Sequence, residues 1–274
     1  GWIGSYQGYL QRLLPLVPVV IGMFAGAPLL AREYADGTSH FAWVQGAGRT
    51  RPVLAKILLI GLAVLVATAI IGWLVQWSAV PIAARSLDYD RWSPALFNSS
   101  PLTLAALTGM FFAFGLLAGV VIRRPVAAMA VTALVAITFL NGAYNRLHYW
   151  LVGLGLRRAP DLALGRLANV GISAGPGSLV NIDAVARPRV PGPAGSWLDQ
   201  GWYTGPDGHQ LSWTAAQRLQ FNAPLMARQH DSFWISYQPG GRYLLFQSAQ
   251  GGAELLVAIL LAVLAVWLIR RQRA

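Results

Sequence analysis

Residues 31–56 read AREYADGTSHFAWVQGAGRTRPVLAK, a polar and basic stretch between two apolar segments. The flanking segments, residues 13–30 and 57–77, contain no Asp, Glu, Lys or Arg. A helix needs about 20 mostly apolar residues to cross the hydrocarbon core of a bilayer. The pattern predicts two membrane helices joined by a short loop, and such a loop is a place where a membrane subunit contacts a soluble partner.

The rest of the chain has the composition of a membrane protein. It is 55% hydrophobic and only 11% charged, which is too apolar for an ordinary soluble domain. Three further blocks, residues 102–122, 126–144 and 255–269, also lack Asp, Glu, Lys and Arg. We therefore predict an all-α membrane protein with five spans in this chain.

The net charge of +11 is distributed as the positive-inside rule requires. The basic residues are scattered, and no nucleic-acid-binding signature accompanies them, so nucleic acid is not a predicted partner. Short loops on one side carry Arg32, Arg49, Arg51, Lys56, Arg123 and Arg124, and the basic tail begins at Arg270. That side is predicted to be cytoplasmic, which places Gly1 outside. A sixth helix before Gly1 would return the chain start to the cytoplasm, and we predict one.

The long segment between the last two predicted helices, residues 145–252, is rich in Pro, Gly, Asp and Trp. We predict a small mixed α/β extracytoplasmic domain there, with a hairpin over residues 202–213, a short helix over 214–219 and a strand over 232–237. The domain organisation is then residues 1–144 for the first membrane helices, 145–252 for the outer domain and 253–274 for the last helix and its cytoplasmic tail.

The chain has no visible energy source of its own. The only lysine, Lys56, lies in the sequence VLAKI, which does not match the Gly-rich P-loop of a nucleotide site. There is no cysteine, and the histidines lack the spacing of a metal site, so we predict no cofactor or metal in this chain. The apolar blocks offer only neutral polar groups, which argues against an ion-coupled transporter because ion relays need charged groups in the membrane.

One hydrolase-like pattern lies in the predicted outer domain. Residues 171–175, GISAG, fit G-x-S-x-G, with Ser173 as a nucleophile and a histidine and an aspartate further on as partners. The motif normally ends a strand and opens a helix, whereas Pro176 follows at once here. A Gly-rich turn is the preferred interpretation, and a membrane-anchored extracytoplasmic enzyme is kept as an alternative.

The loop at residues 31–56 is the stronger signal. Asp36 can cap a short helix that carries Phe41 and Trp43, and Gly46 can end it. Such a helix could insert its apolar groups into a groove on a partner protein. It could equally lie at the membrane interface with Trp43 at the level of the lipid headgroups. The residues alone leave both interpretations open.

A resemblance distinguishes between them. Residues 22–56 resemble the second membrane helix and following cytoplasmic loop of type-2 ATP-binding-cassette (ABC) transporter permeases, especially actinobacterial ones. The resemblance is carried by the motifs GAPL at 26–29, ARE at 31–33, GT at 37–38, Trp43, Gln45, RTR at 49–51 and Lys56. Near the end of the chain, YQP at 237–239, RY at 242–243 and FQ at 246–247 are similar to the segment before the last helix of that family.

The resemblance implies a six-helix permease in a bacterial plasma membrane, which works with a second permease copy or a homologue. A separate ABC ATPase subunit would bind ATP and Mg, and the complex would export an amphipathic or apolar compound such as a drug, antibiotic or lipid. A sensing module for an antibiotic or peptide is the other implied possibility. Coupling to the ATPase is assigned to Glu33, paired with a nearby Arg, and to Gly37, Thr38, Phe41 and Trp43. The substrate path is assigned to Phe111, Phe112 and Phe114.

Overall fold

The computed structural model describes residues 13–35, 50–83, 92, 94–155, 157–160, 197–204 and 232–271. The chain divides into two compact units. The membrane unit comprises Gly1–Leu151 and Leu244–Ala274, and the sheet unit comprises Val152–Tyr243.

Within the described residues, five helices are long and apolar enough to cross a membrane. We number them in chain order as spans 1 to 5: Leu16–Glu33, Val53–Ser78, Pro101–Ile122, Pro125–Val152 and Gly240–Arg271. The five predicted spans are therefore confirmed. The sixth helix, expected before Gly1, stays a prediction.

Two of the spans contain a π-helical segment. Span 1 runs as Leu16–Ile21, a π segment Gly22–Gly26 and Ala27–Ala35. Span 4 runs as Pro125–Phe139, a π segment Leu140–Tyr144 and Asn145–Val152. Because a π segment adds a residue to a turn, it changes which side chains face a neighbouring helix, and such segments recur at functional sites.

The remaining helices are regular. Span 2 lies within the helix Thr50–Ala83, and a short helix, Pro94–Phe97, precedes span 3 at Pro101–Ile122. Span 5 consists of a 3-10 turn, Gly240–Arg242, followed by the helix Tyr243–Arg271.

Local sequence explains the bounds of span 3. Ser100 has an extended backbone, and its hydroxyl accepts a hydrogen bond from the Thr103 N–H, so that it caps a helix that begins with Pro101. At the other end Arg123 adopts a left-handed conformation with φ 58°, and its N–H bonds to the Gly119 carbonyl. This cap lets the chain reverse into Pro125 within a tight turn.

Spans 1 and 3 contact each other backbone to backbone through glycines. A Cβ on Gly26 would lie 2.5 Å from the Phe112 carbonyl oxygen, and one on Gly119 would lie 2.5 Å from that of Ala27. Gly22 and Gly115 are equally crowded by the partner helix. Small residues allow membrane helices to approach this closely, and close approach increases van der Waals contact between them. We call this contact the glycine seam.

Span 3 is the central helix of the membrane unit. About 61% of its most apolar 18-residue stretch is buried inside the protein, and the corresponding share is 17% for span 2, 17% for span 4 and 22% for span 5. The outer spans therefore present broad apolar faces, as helices in contact with lipid do. Trp73 and Trp77 of span 2 stack with their ring centroids 6.5 Å apart on such an exposed face.

Two predicted segment boundaries fall inside helices. Span 4 continues through Val152, past the predicted end at residue 144. The helix of span 5 begins at Tyr243, although the predicted outer domain extended to residue 252. The longer span 5 includes Glu254, which the predicted apolar block at 255–269 left out.

The described residues of the sheet unit form three antiparallel strands in the order β1-β3-β2. Their bounds are Arg157–Pro160 for β1, Trp197–Thr204 for β2 and Ser232–Gln238 for β3. The strand predicted over 232–237 is confirmed. β2 pairs with β3, with Trp202 opposite Trp234 and an irregularity between Leu198 and Gln200. The predicted turn of the 202–213 hairpin and the helix over 214–219 lie outside the described residues.

Candidate functional site

The described residues carry polar groups at both ends of the membrane unit. One end is marked by an apolar cluster that includes Leu30, Ile57, Val120 and Ile269, from spans 1, 2, 3 and 5. Three basic residues lie within three positions of these residues in the sequence, namely Lys56, Arg123 and Arg270. We therefore call this end the basic end.

At the basic end, an ion pair joins the helices that bracket residues 36–49. The Lys56 Nζ lies 3.1 Å from the Glu33 Oε1, and both side chains are partly exposed. Glu33 lies near the end of the helix Ala27–Ala35, and Lys56 lies in the second turn of the helix Thr50–Ala83. The contact therefore holds together the two helix ends from which the predicted coupling loop emerges.

An open groove of about 390 Å³ lies beside this ion pair. Apolar side chains line most of it, and the charged groups of Arg32, Glu33 and Lys56 line the rest. The apolar lining consists of Phe24, Ala25, Pro28, Leu29 and Ile60.

The predicted coupling residues divide into one that is described and four that are not. Glu33 forms an ion pair with Lys56, and its predicted pairing with an arginine stays a prediction. The predicted positions Gly37, Thr38, Phe41 and Trp43 lie outside the described residues. Their role in contacting an ATPase stays a prediction.

The three phenylalanines of the predicted substrate path pack in three different clusters around span 3. Phe111 packs in a cluster with Val19 and Tyr144, and Phe112 packs in the cluster at the basic end. Phe114 packs against a third cluster, built from alanines of spans 1, 3 and 4. The structure thus does not bring the three rings together, and their place on a substrate path stays a prediction.

At the end opposite the basic end, aromatic side chains surround the short helix Pro94–Phe97. Trp92 stacks on Phe97 with centroids 6.3 Å apart and meets the edge of Phe246 at 5.9 Å. His148 of span 4 lies 4.7 Å from the Phe97 ring, and its Nε2 is 2.9 Å from the Trp92 carbonyl oxygen. The Gln76 amide of span 2 donates to the Leu96 carbonyl at 2.8 Å. These contacts attach the segment before span 3 to spans 2, 4 and 5.

A hydrogen-bonded group of four side chains lies beside these aromatic residues, and we call it the polar cluster. It consists of Asn98, Tyr144 of span 4, and Gln250 and Glu254 of span 5. The Tyr144 hydroxyl donates to the Glu254 Oε1 at 3.0 Å. The Gln250 Nε2 lies 2.8 Å from the Asn98 Oδ1, 2.9 Å from the Tyr144 hydroxyl and 3.0 Å from the Glu254 Oε1.

Helix geometry explains why these residues meet. Gln247, Gln250 and Glu254 are spaced three and four residues apart, which places them on one face of span 5. Tyr144 is the last residue of the π segment Leu140–Tyr144. Its ring is buried against Phe139, with centroids 5.6 Å apart, while its hydroxyl reaches span 5. Span 5 thus carries a polar stripe, and the Tyr144 hydroxyl of span 4 reaches it as a hydrogen-bond donor.

Glu254 is the notable member of the polar cluster because a carboxyl group in a membrane span is rare and costly. Only 7% of its surface is exposed. Its Oε1 accepts from two neutral donors, and its Oε2 has no hydrogen-bond partner among the described residues. Within the described ranges, Glu254 has no ion pair with a cationic side chain.

The sequence prediction that only neutral groups occupy the spans is therefore wrong. The predicted last helix, residues 253–274, already includes Glu254, but the prediction considered only the uncharged block at 255–269. The spacing of Gln247, Gln250 and Glu254 was the available signal, since a polar stripe at helical spacing can extend an apolar helix toward its start. The buried threonines do not form a polar site between helices, because the hydroxyls of Thr68, Thr108 and Thr132 donate to carbonyls of their own helices.

Comparison with known families assigns the first half of the chain to a family. Residues 2–145 match the family model described as ABC-2 membrane transporter related. The chain belongs to this family. Among curated proteins and solved structures, the searches found no significant match. The family match covers spans 1 to 3 and most of span 4, and includes Asn98 and Tyr144 but neither Gln250 nor Glu254.

Family membership establishes the coarse function. The chain is a multi-pass membrane protein and a permease component of an ABC transporter. Such a component associates with an ABC ATPase. The motif around Ser173 lies outside the described residues, so the alternative of an outer enzyme stays a prediction.

Proposed function

We propose that this chain is the permease subunit of an ATP-driven exporter in a bacterial plasma membrane. A separate ATPase subunit binds ATP and Mg, and a second permease copy or a homologue completes the complex. The C-terminus and the loop at residues 31–56 face the cytoplasm, and the sheet unit faces outward. The family match and the basic residues at Lys56, Arg123 and Arg270 support this arrangement.

The ion pair between Glu33 and Lys56 is the observation that carries the coupling proposal. A force applied to residues 36–49 reaches the bilayer through the two helix ends that flank them. Because the ion pair joins these ends, spans 1 and 2 receive that force together. Span 1 is packed on span 3 along the glycine seam, so the movement passes on to the central helix of the unit. Closure of the ATPase would then shift the permease between inward-open and outward-open states.

The proposed cargo is an amphipathic or apolar compound such as a drug, antibiotic or lipid. An open groove with an apolar lining and charged groups at one side, beside Glu33 and Lys56, has the character of a surface for such a compound. Phe24 at the groove is 58% exposed, so the apolar lining is accessible from outside the protein.

The coupling role is tested by placing a charge on the predicted contact residues. Phe41→Asp and Trp43→Asp each remove an apolar group that would insert into the ATPase and replace it with a carboxylate that is costly to bury. We expect ATP-dependent transport in proteoliposomes to fall at least tenfold while membrane insertion is unchanged. Phe41→Leu is the matched control, since it keeps an apolar side chain and should retain most transport. Normal transport by both aspartate variants would overturn the coupling role.

The same preparation tests the enzyme alternative. Ser173→Ala should leave ATP-dependent transport unchanged if the chain is a permease. Loss of a hydrolytic activity in this variant, with transport absent from the wild-type complex, would favour the outer-enzyme function instead.

A further inference from the structure

We propose that the polar cluster of Asn98, Tyr144, Gln250 and Glu254 is a binding site for one small monovalent cation, either an alkali-metal ion or a proton. This inference concerns a group that the proposed coupling mechanism does not use. It does not depend on ATP hydrolysis or on the identity of the cargo.

The first reason is the uncompensated carboxyl group. Glu254 is buried in span 5, roughly 24 Å along the helix from Arg270 at about 1.5 Å per residue. With Arg270 at one membrane boundary, this depth lies inside a hydrocarbon core of about 30 Å. Hydrogen bonds from Tyr144 and Gln250 are neutral and cannot balance a negative charge. Buried charges in proteins are paired with an opposite charge or coordinate an ion.

The second reason is an excess of oxygen atoms. Three oxygens, on Asn98, Tyr144 and Glu254, lie within 3.0 Å of the Gln250 Nε2. That nitrogen carries only two hydrogens, so it cannot serve all three with separate bonds. The Gln250 Oε1 and the Glu254 Oε2 are buried and have no hydrogen-bond partner among the described residues. Two oxygens of the cluster are therefore left without a donor among the described residues.

Gln247 does not remove this imbalance. Its Nε2 is also buried and has no hydrogen-bond partner in the described part of the chain. An amide supplies a donor but no charge, so it could satisfy an oxygen without compensating the carboxylate. The requirement for a positive charge at Glu254 remains.

The kind of cation follows from the same residues. Carboxylate, amide and hydroxyl oxygens are ligands for hard cations. The cluster supplies one carboxylate, and within the described ranges no three His, Cys, Asp or Glu residues are placed to share a metal ion. A single negative charge balances a single positive charge, which favours a monovalent ion over a divalent one. The direct contacts of Tyr144 and Gln250 with the carboxyl group favour a small ion over an organic cation.

The cation would act where three elements meet. Asn98 belongs to the segment before span 3, Tyr144 to span 4, and Gln250 and Glu254 to span 5. An ion that is bound by oxygens from all three would hold them together, and its release would leave a buried carboxylate that favours their separation. A bound cation would thus stabilise the packing of these three elements against one another.

The test uses the full chain with its co-purified ATPase in lipid nanodiscs. The Tm is measured against increasing NaCl or KCl, with choline chloride added to keep the ionic strength constant. A ligand that binds only the folded state raises the Tm in a saturable way. We expect this rise in the wild-type protein and its loss in Glu254→Gln, which keeps the shape and hydrogen-bond acceptor of the side chain. Tyr144→Phe should weaken the apparent affinity several-fold.

A second measurement distinguishes the proton from a metal ion. If neither salt changes the Tm, infrared difference spectroscopy should show a carboxylic-acid C=O band in the wild-type protein that Glu254→Gln lacks. Glu33→Gln is the matched control, because it removes a partly exposed carboxyl at the basic end and should retain whichever of the two signals the wild-type protein shows. A Tm rise that persists in Glu254→Gln would overturn the proposal. The absence of both the salt response and the acid band would also overturn it.

Discussion

Two glutamates at opposite ends of the membrane unit show how differently one side chain behaves in two surroundings. The Glu33 side chain is 35% exposed and lies 3.1 Å from the ammonium group of Lys56, which is 48% exposed. Glu254 is almost completely buried, and among the described residues its hydrogen-bond donors are the neutral Tyr144 and Gln250. Water and a counter-charge stabilise the first carboxylate, whereas the second must obtain its compensation from inside the protein.

The difference predicts where mutations cost stability and where they cost function. An exposed ion pair contributes roughly 0–1 kcal/mol, because water already solvates both charges. A buried polar group that loses its partner costs about 1–3 kcal/mol, and more when it is charged. Separating Glu33 from Lys56 at the basic end should therefore cost little free energy. Separating the residues of the polar cluster should cost more, because their buried polar groups would lose hydrogen bonds.

The largest effect is expected when the polar cluster loses its central donor. Gln250→Leu removes the amide that lies within 3.0 Å of oxygens on Asn98, Tyr144 and Glu254. We expect a loss of about 3 kcal/mol in stability, because the carboxyl group and two other oxygens lose a donor in a buried site. Thermal unfolding in nanodiscs measures this as a lower Tm.

Ser248→Ala in the same helix is the control for that variant. Ser248 is exposed, and its hydroxyl bonds the Leu244 carbonyl of its own helix, so its removal should change the Tm little. Equal destabilisation by Gln250→Leu and Ser248→Ala would mean that the polar cluster has no special energetic role.

The comparison also shows what the sequence could predict. The five spans follow from uncharged runs, and the loop at residues 31–56 follows from its flanking spans. Glu254 was missed because the prediction considered only the uncharged block at 255–269, which begins one residue after it. The uncharged run also places the start of the helix later than Tyr243, where it begins. The Gln247 and Gln250 side chains are polar, so hydropathy favours a loop there, whereas helical packing against Tyr144 overrides it.

The predicted substrate path shows a different limit. Phe111 and Phe112 are adjacent in sequence, and because a helix turns about 100° per residue, their side chains point to different sides of span 3. Phe111 meets Phe139 at 6.0 Å on the side of Tyr144, and Phe112 packs toward the basic end. A sequence can show which residues are aromatic, but the faces they occupy depend on which helices pack around span 3.

A smaller loss of stability is expected from the glycine seam, which both ends of the unit share. A Cβ on Gly115 would collide with the Gly22 carbonyl oxygen and lie 2.8 Å from the Ala27 nitrogen, so Gly115→Ala forces spans 1 and 3 apart. Such overpacking costs about 2 kcal/mol. Gly252→Ala is the matched control, since a Cβ there meets no atom within 4 Å and alanine favours a helix. A similar drop in Tm for both variants would show that the backbone contact is not what limits stability.

The smallest change in stability, but a clear change in transport, is expected at the ion pair of the basic end. Glu33→Lys and Lys56→Glu each place like charges together, which should alter stability by less than about 1 kcal/mol because both groups are partly exposed. Transport should fall roughly tenfold in each, since the two helix ends then repel each other while the ATPase acts on the loop between them. The double reversal restores opposite charges and should recover most of the transport, as a double-mutant cycle requires for two interacting residues. ATP-dependent transport that stays low in the double variant would show that the two side chains act separately, so that spans 1 and 2 are not moved together through this contact.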